Sequence, residues 1–208
     1  MTFSWVLDES KYLKSEEVKK LRETCRKLRE KGVRTKNFVL VRDWFMVELG
    51  LFTGLRVEEM TNLNCGDLFL ENTESSLIVR RGKGDKKRVV MLNTEFKKEC
   101  LWFLNYKKRI GQTIEDNAPL LSTSKGKRVS KRTLQKAFKR CLHKAGLPNH
   151  YSIHCLRHTY GSHLYKVSNH NLRLVQKQLG HASIRTTEVY ADLLNEDVKE
   201  AIEKLYEQ

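Results

Sequence analysis

The chain has 208 residues and a formal net charge of +15, with 40 Lys and Arg against 25 Asp and Glu. A hydrophobic content of 39% supports a folded core, and no apolar run is long enough to predict a membrane span. The sequence pI of about 9.7 favours a nucleic-acid partner, although a generally basic soluble protein would have the same composition.

Neither the start of the chain nor its cysteines indicates secretion. The first residues, MTFSWVLDESKYL, lack the basic start and apolar centre of a signal peptide. The five cysteines are scattered without a CxxC pair, and an odd number does not fit a disulfide framework. The sequence therefore predicts a reducing, cytoplasmic compartment.

Helical patterns fill the first quarter of the chain, after a lead-in at residues 1–14. Helices are predicted at Ser15 to Gly32, at about Thr35 to Thr53, and from Arg56 onwards. The second is apolar over most of its surface, which places it in the core. The period then changes to that of strands, at Leu68 to Leu70, Ser76 to Arg80 and Lys87 to Leu92. Glycines in the segment 81–85 supply the turn between the last two strands.

The rest of the chain returns to helical patterns. Helices are predicted at Thr94 to about Lys108 (with Phe96, Leu101, Trp102 and Leu104 inward), from Ser130 to Gly146, from Ser152 as N-cap, at Leu172 to Gly180, from Ser183 through Tyr190, and at Asn195 to Tyr206. Pro119 to Ser122 is interpreted as a short extended piece. The predicted fold is mainly α with one small three-stranded antiparallel sheet, in a single domain over residues 15–208.

Chemistry-bearing side chains concentrate between Ser152 and Tyr190. His154 and Arg157 are spaced i and i+3, so they project from one face of a helix. His181 follows the helix stop at Gly180, where a loop can aim it, and Tyr190 lies nine residues further on. An arginine, two imidazoles and a phenol suit attack on a phosphodiester, provided that a second cation joins them.

Two segments can supply that cation. Arg56 follows Gly54, and it either forms a structural ion pair with Glu59 or joins Arg157 in clamping the oxygens of one phosphate. Lys83 lies between two glycines at a predicted hairpin tip, where it is either a catalytic group or an ordinary solvated lysine. Its basic surroundings, from Arg80 to Arg88, and a second basic run, from Lys125 to Arg132, indicate a solvated or DNA-facing surface. The candidate DNA contacts are Arg80, Arg81, Lys86, Lys87, Lys127, Arg128, Lys131 and Arg132.

His154 and His158 are spaced i and i+4, as in some zinc sites. Arg157 lies on the same face and its fixed charge repels a metal, so no metal is predicted. His158 is interpreted as a packed or supporting histidine. Tyr190, like Tyr160 and Tyr165, has the alternative of an ordinary core tyrosine.

The residues above occur in segments that resemble the tyrosine recombinase family, the lambda-type phage integrases. The segments are TGLRVEEMTNL, IVRRGKGDKKRVVML, SIHCLRHTYGSHLY and VQKQLGHASIRTTEVYADL, in the family's order. The resemblance implies the family's catalytic-domain fold. It assigns the catalytic positions to Arg56, Lys83, His154, Arg157, His181 and Tyr190, with Glu59 as the acidic residue beside the first arginine.

The resemblance also implies a mechanism. Tyr190 would attack the scissile phosphate to form a 3′-phosphotyrosine, Arg56 and Arg157 would stabilise its charge, and Lys83 would protonate the 5′-oxygen. His154 would orient or deprotonate the attacking group, and His181 would donate a hydrogen bond to a non-bridging oxygen. No cofactor is needed, since the covalent intermediate retains the phosphodiester energy. Two alternatives are a type IB topoisomerase and a DNA-binding regulatory module without recombination activity.

The implied partners are double-stranded DNA and further copies of the chain, as a tetramer of protomers on paired sites. Residues 195–208 are expected to dock either on a neighbouring protomer or on their own domain. The family's N-terminal core-binding domain is not visible, because the catalytic pattern begins almost at once. The chain is therefore expected to be a separate catalytic domain or a naturally short protein.

Overall fold

The computed structural model describes residues 11–71, 74–80, 87–180 and Thr187. Its helices are α1 (Ser15–Arg34), α2 (Phe38–Thr53), α3 (Val57–Asn62), α4 (Thr94–Arg109), α5 (Lys131–Lys144), α6 (His154–Val167) and α7 (Leu172–Leu179). Its strands are β1 (Leu68–Phe69), β2 (Ser76–Val79) and β3 (Arg88–Met91). This confirms the predicted fold class. Within these residues, no helix is both long and apolar enough to cross a membrane.

Helix α2 is the centre of the core, as its apolar surface predicted. The Asn37 side chain accepts a hydrogen bond from the N–H of Val39 at 3.1 Å and so caps its start. Gly54 ends it in the left-handed conformation, at φ +60°. The helix packs against α1, α4, α5 and α6, and Phe45 stacks on Phe103 of α4 with 3.9 Å between ring centroids. Arg56 follows two residues after Gly54, so the C-terminal end of α2 sets its position.

The three strands form one antiparallel sheet in the order β1-β2-β3. Leu77 of β2 lies opposite Val90 of β3, and Val79 lies opposite Arg88. Leu77, Val79 and Val90 are buried, so these positions define the inner face of the sheet. Arg88 has the same parity as Val90 and therefore also points inward. The end of α7 lies against β3.

Several predicted helix details are wrong. Helix α1 continues past Gly32 to Arg34; Gly32 is buried, and a Cβ there would lie 2.8 Å from Cγ2 of Val41, so this glycine serves close packing rather than termination. Helix α2 begins at Phe38, not Thr35. Leu101 is 42% exposed, because the inward face of α4 is set by Phe96, Cys100 and Phe103.

The start of α6 also differs from the prediction. Ile153, with helical dihedral angles, immediately precedes the helix. Ser152 contributes its backbone carbonyl, which accepts from the N–H of Cys155 at 2.9 Å. His154 is thus the first residue of α6, and Arg157 follows three residues later on the same helix. The predicted end of α7 at Gly180 is confirmed, with a left-handed φ of +66°.

Candidate active site

Glu59 is the centre of the candidate site. It lies in the first turn of α3, where its carboxylate accepts from the N–H of Arg56 at 2.8 Å and from the Arg56 guanidinium at 3.1 Å. Its side chain is only 4% exposed. Burial alone would raise the pKa of Glu59. The opposite effect is larger, and the pKa is lowered, because the carboxylate accepts hydrogen bonds from Arg88 and the Arg56 N–H and lies near the charges of Arg88 and Arg157. Glu59 is therefore an anion surrounded by arginines.

Arg88 makes the strongest contact with that anion. Its two terminal nitrogens donate to the two oxygens of Glu59 at 2.7 and 2.8 Å, a bidentate pair of the kind that fixes both partners. Its Nε donates to the backbone carbonyl of Gln178 at 3.3 Å. The arginine was expected on a solvated or DNA-facing surface, but it is 10% exposed. That expectation is wrong, because the strand period turns Arg88 inward while its neighbour Lys87 stays outside.

Arg157 connects the ends of two helices. It donates to the carbonyl of Gly54, after α2, at 2.7 Å, and to the carbonyl of Leu179, at the end of α7, at 2.9 Å. Carbonyls at helix ends carry partial negative charge and are favourable partners for a guanidinium. One of its nitrogens lies 4.0 Å from Glu59. Arg157 thus fixes the positions of the two segments that lead into Arg56 and into His181.

His154 lies within the field of both arginines. Its pKa is lowered by burial first, and then by the positive charges of Arg157 and Arg56. His158, one turn later, has a pKa lowered to about 4 by burial and by the charges of Arg157, His154 and Lys11. A neutral imidazole at neutral pH can accept a proton. Among the described residues, no group of three or more His, Cys, Asp or Glu side chains could hold a metal ion.

The structure brings four of the predicted residues together. Glu59 contacts Arg56 at 3.1 Å and lies 4.0 Å from Arg157, and the charges of these two arginines lower the pKa of His154. Lys83, His181 and Tyr190 lie outside the described residues, as do Arg81 and Lys86. The cluster has the basic character that suits a phosphate, and it is built from residues about a hundred positions apart in the chain.

Most of the candidate DNA contacts that the structure describes are exposed. Lys87, Lys127, Lys131 and Arg132 lie at the surface. Arg80 is 53% exposed and pairs with the buried Asp67, and Arg128 donates to the carbonyls of Thr61 and Leu63 at 2.8 and 3.0 Å. Arg80 and Arg128 line a cleft of about 270 Å³ that also contains Glu59. These residues form a basic surface beside the candidate active site, and their contact with DNA remains a prediction.

Comparison with known proteins identifies the kind of chain that carries this cluster. The model of the phage integrase family matches residues 11–197. Tyrosine recombinase XerC of Proteus mirabilis is 41% identical over 154 residues, which is 74% of this chain and 48% of that protein. XerC of Caldanaerobacter subterraneus subsp. tengcongensis is 35% identical over 164 residues, 78% of this chain and 44% of that protein. The chain thus spans about half the length of these curated relatives.

Solved structures give the same result. The XerH site-specific recombinase, in a post-cleavage complex with a palindromic difH substrate, superposes with a TM-score of 0.75 at 29% identity, covering 97% of this chain and 54% of XerH. The XerA recombinase gives a TM-score of 0.74 at 27% identity, covering 94% of this chain and 65% of XerA. The helices and small sheet are those of a tyrosine recombinase catalytic domain, and the chain belongs to the phage integrase family.

Proposed function

We propose that this chain is the catalytic domain of a site-specific DNA recombinase, which cleaves and rejoins strands through a 3′-phosphotyrosine intermediate. The observation that supports the proposal best is the arginine cluster, in which Glu59 contacts Arg56 at 3.1 Å and lies 4.0 Å from Arg157. Two guanidinium groups from distant segments, gathered around one carboxylate, suit a phosphodiester whose negative charge grows during attack. The family membership supplies the reaction class.

The proposed chemistry begins with Tyr190. Its phenolate attacks the scissile phosphorus, a 3′-phosphotyrosine bond forms, and the 5′-oxygen leaves with a proton from Lys83. Arg56 and Arg157 bind the non-bridging oxygens, and removing one such preorganised donor costs about 2.7–4 kcal/mol of barrier in other enzymes. His154 orients the Tyr190 phenol or takes the proton that it loses on attack, and His181 donates to a non-bridging oxygen. Rejoining reverses these steps with a 5′-hydroxyl as the nucleophile.

Double-stranded DNA is the proposed partner. Four exposed basic residues would neutralise backbone phosphates and fix the register of the duplex; they are Lys87, Lys127, Lys131 and Arg132. XerH is a relative whose solved structure contains its DNA substrate. We further propose that protomers assemble as a tetramer on paired sites, since strand exchange between two duplexes requires four cleavage events.

A nicked duplex that carries the DNA sequence flanking the gene for this chain tests this proposal. Loss of the short fragment beside the nick would trap the covalent protein–DNA adduct, which runs slowly on a denaturing gel. Tyr190→Phe should bind the duplex with unchanged affinity and form no adduct, because the attacking oxygen is missing.

The matched control for that experiment is Tyr160→Phe. Burial raises the pKa of Tyr160 to about 12, and its ring packs against Gly54, where a Cβ would lie 2.5 Å from Cδ1 of the tyrosine. Tyr160 is thus a poor nucleophile, and its variant should keep the adduct. An adduct that survives Tyr190→Phe and disappears in Tyr160→Phe would refute the assignment.

A further inference from the structure

Arg88 has no assigned place in the chemistry above, yet it is the most firmly held side chain of the cluster. It forms a bidentate pair with Glu59 and donates to the carbonyl of Gln178. The N–H of Met91, on the same strand, donates to the side-chain oxygen of Gln178 at 3.2 Å. Strand β3 is therefore tied both to the anion of the site and to the end of α7.

The fit around Arg88 is tight. A Cβ on Gly180 would lie 2.4 Å from Cδ of Arg88 and 2.9 Å from its Nε, so a larger residue there would displace the Arg88 side chain from its present position. The inward position follows from strand parity, since Arg88 lies opposite Val79 and Val90 lies opposite Leu77. One guanidinium thereby links three segments, which carry Lys83, Arg56 and His181 in the sequence.

The acceptor capacity of Glu59 explains what this link does. A carboxylate offers about four lone-pair sites, and four donors occupy them: two from Arg88, the N–H of Arg56 and one nitrogen of the Arg56 guanidinium. Arg56 is thus held through one side-chain contact of 3.1 Å, and its side chain stays 27% exposed. With Arg88 removed, Glu59 could bind Arg56 through a full bidentate fork.

We infer that Arg88 is a positioning residue for strand cleavage: it occupies Glu59 so that the Arg56 guanidinium faces the scissile phosphate, and it fixes the hairpin strand against the end of α7. The inference rests on the proposed function. It assigns Arg88 no contact with DNA, and it makes the Glu59–Arg88 pair part of the active site rather than a scaffold ion pair.

Single-turnover cleavage of the nicked duplex by four proteins tests this inference. Arg88→Met should lower the cleavage rate about 100-fold, the loss expected from misplacing a reacting group by about 1 Å, while the affinity for DNA stays unchanged. Arg88→Lys should recover only part of the rate, because an ammonium cannot form the fork. Arg22→Met is the matched control, since Arg22 pairs with the buried Glu48 at 3.0 Å away from the cluster; it should lose stability and keep its cleavage rate.

The double variant Arg88→Met with Glu59→Gln separates positioning from scaffolding. A neutral glutamine cannot bind the Arg56 guanidinium through two hydrogen bonds as a carboxylate can. The double variant should therefore cleave faster than Arg88→Met alone. If the role of Arg88 were purely structural, the double variant would cleave at the same rate as Arg88→Met or more slowly. Equal rates for Arg88→Met and Arg22→Met, or DNA affinity that falls in step with cleavage, would overturn the inference. If the wild-type protein forms no adduct, the proposed function fails and the inference fails with it.

Discussion

Replacing Glu59 by Gln tests the electrostatics of the cluster. The change keeps the shape of the side chain and removes the charge that three arginines face. Removing one partner of a buried ion pair lowers the free energy of unfolding by about 3–5 kcal/mol. Because Gln keeps one oxygen that can accept from Arg88, we expect a loss of about 3 kcal/mol for Glu59→Gln, the lower end of that range. For a domain of this size that corresponds to a fall in Tm of about 6–12 °C. Urea unfolding at neutral pH measures the free-energy difference.

The pH dependence of that difference gives a sharper test. The folded pKa of Glu59 lies below the ordinary value of 4.5, so its stabilising contribution is fully present above about pH 4.5 and is lost as the pH falls through the folded pKa. The stability gap between the wild type and Glu59→Gln should therefore narrow in acid. A gap that stays constant from about pH 6 to pH 3.5 would refute an electrostatic origin.

Glu48 provides the matched control. Its carboxylate is also buried and also meets an arginine, but burial outweighs the charge and hydrogen bonds of Arg22, and its folded pKa is raised. The contribution of such an acid is present below its unfolded pKa and is lost as the pH rises through the folded pKa. The penalty of Glu48→Gln should therefore shrink as the pH rises, opposite in sign to Glu59→Gln.

Three further predictions concern activity and assembly. Cleavage of the nicked duplex should persist in excess chelator, because guanidinium groups supply the charge stabilisation; activity that only added zinc or magnesium restores would contradict this. Binding should be steeply salt-dependent with little sequence preference, losing about 10³–10⁵ in affinity between 50 and 200 mM salt if 6–10 phosphates are contacted; a specificity ratio well above about ten at high salt would contradict it. Deleting residues 195–208, whose sequence carries an apolar stripe at Val198, Ala201, Ile202 and Leu205, should abolish cooperative assembly on a two-site duplex; unchanged assembly would leave the intramolecular docking alternative.

Local patterns predicted most elements of the fold. The apolar surface of α2, the stop at Gly180 and the alternation of the strands each follow from periodicity and chain-end chemistry, and the structure confirms them. The exceptions have tertiary causes: Gly32 stays inside α1 because Val41 approaches it closely, and Leu101 is exposed because aromatic packing sets the register of α4. Such contacts between distant segments carry no local signal.

The candidate site was also predictable only in part, because motifs indicate individual residues but not the contacts between distant segments. Motifs predicted Arg56, Glu59, His154 and Arg157 as site residues. The structure contains the Arg56–Glu59 ion pair, which leaves the Arg56 side chain 27% exposed, so the phosphate clamp stays a prediction that this ion pair permits. Arg88 was missed because it stands in a run of basic residues that suggests solvent. The parity of Arg88 with Val90 was the available signal, because alternate residues on a strand share a face.

Mapping the covalent adduct tests the proposed chemistry at the atom where it takes place. After trapping on the nicked duplex, digestion with protease and nuclease would leave a nucleotide on one peptide, which mass spectrometry can locate. The expected result is a 3′-phosphotyrosine at Tyr190, with a free 5′-hydroxyl on the released strand. A nucleotide attached to any other residue, or a 5′-linked adduct, would contradict the assignment of the nucleophile and the polarity of cleavage.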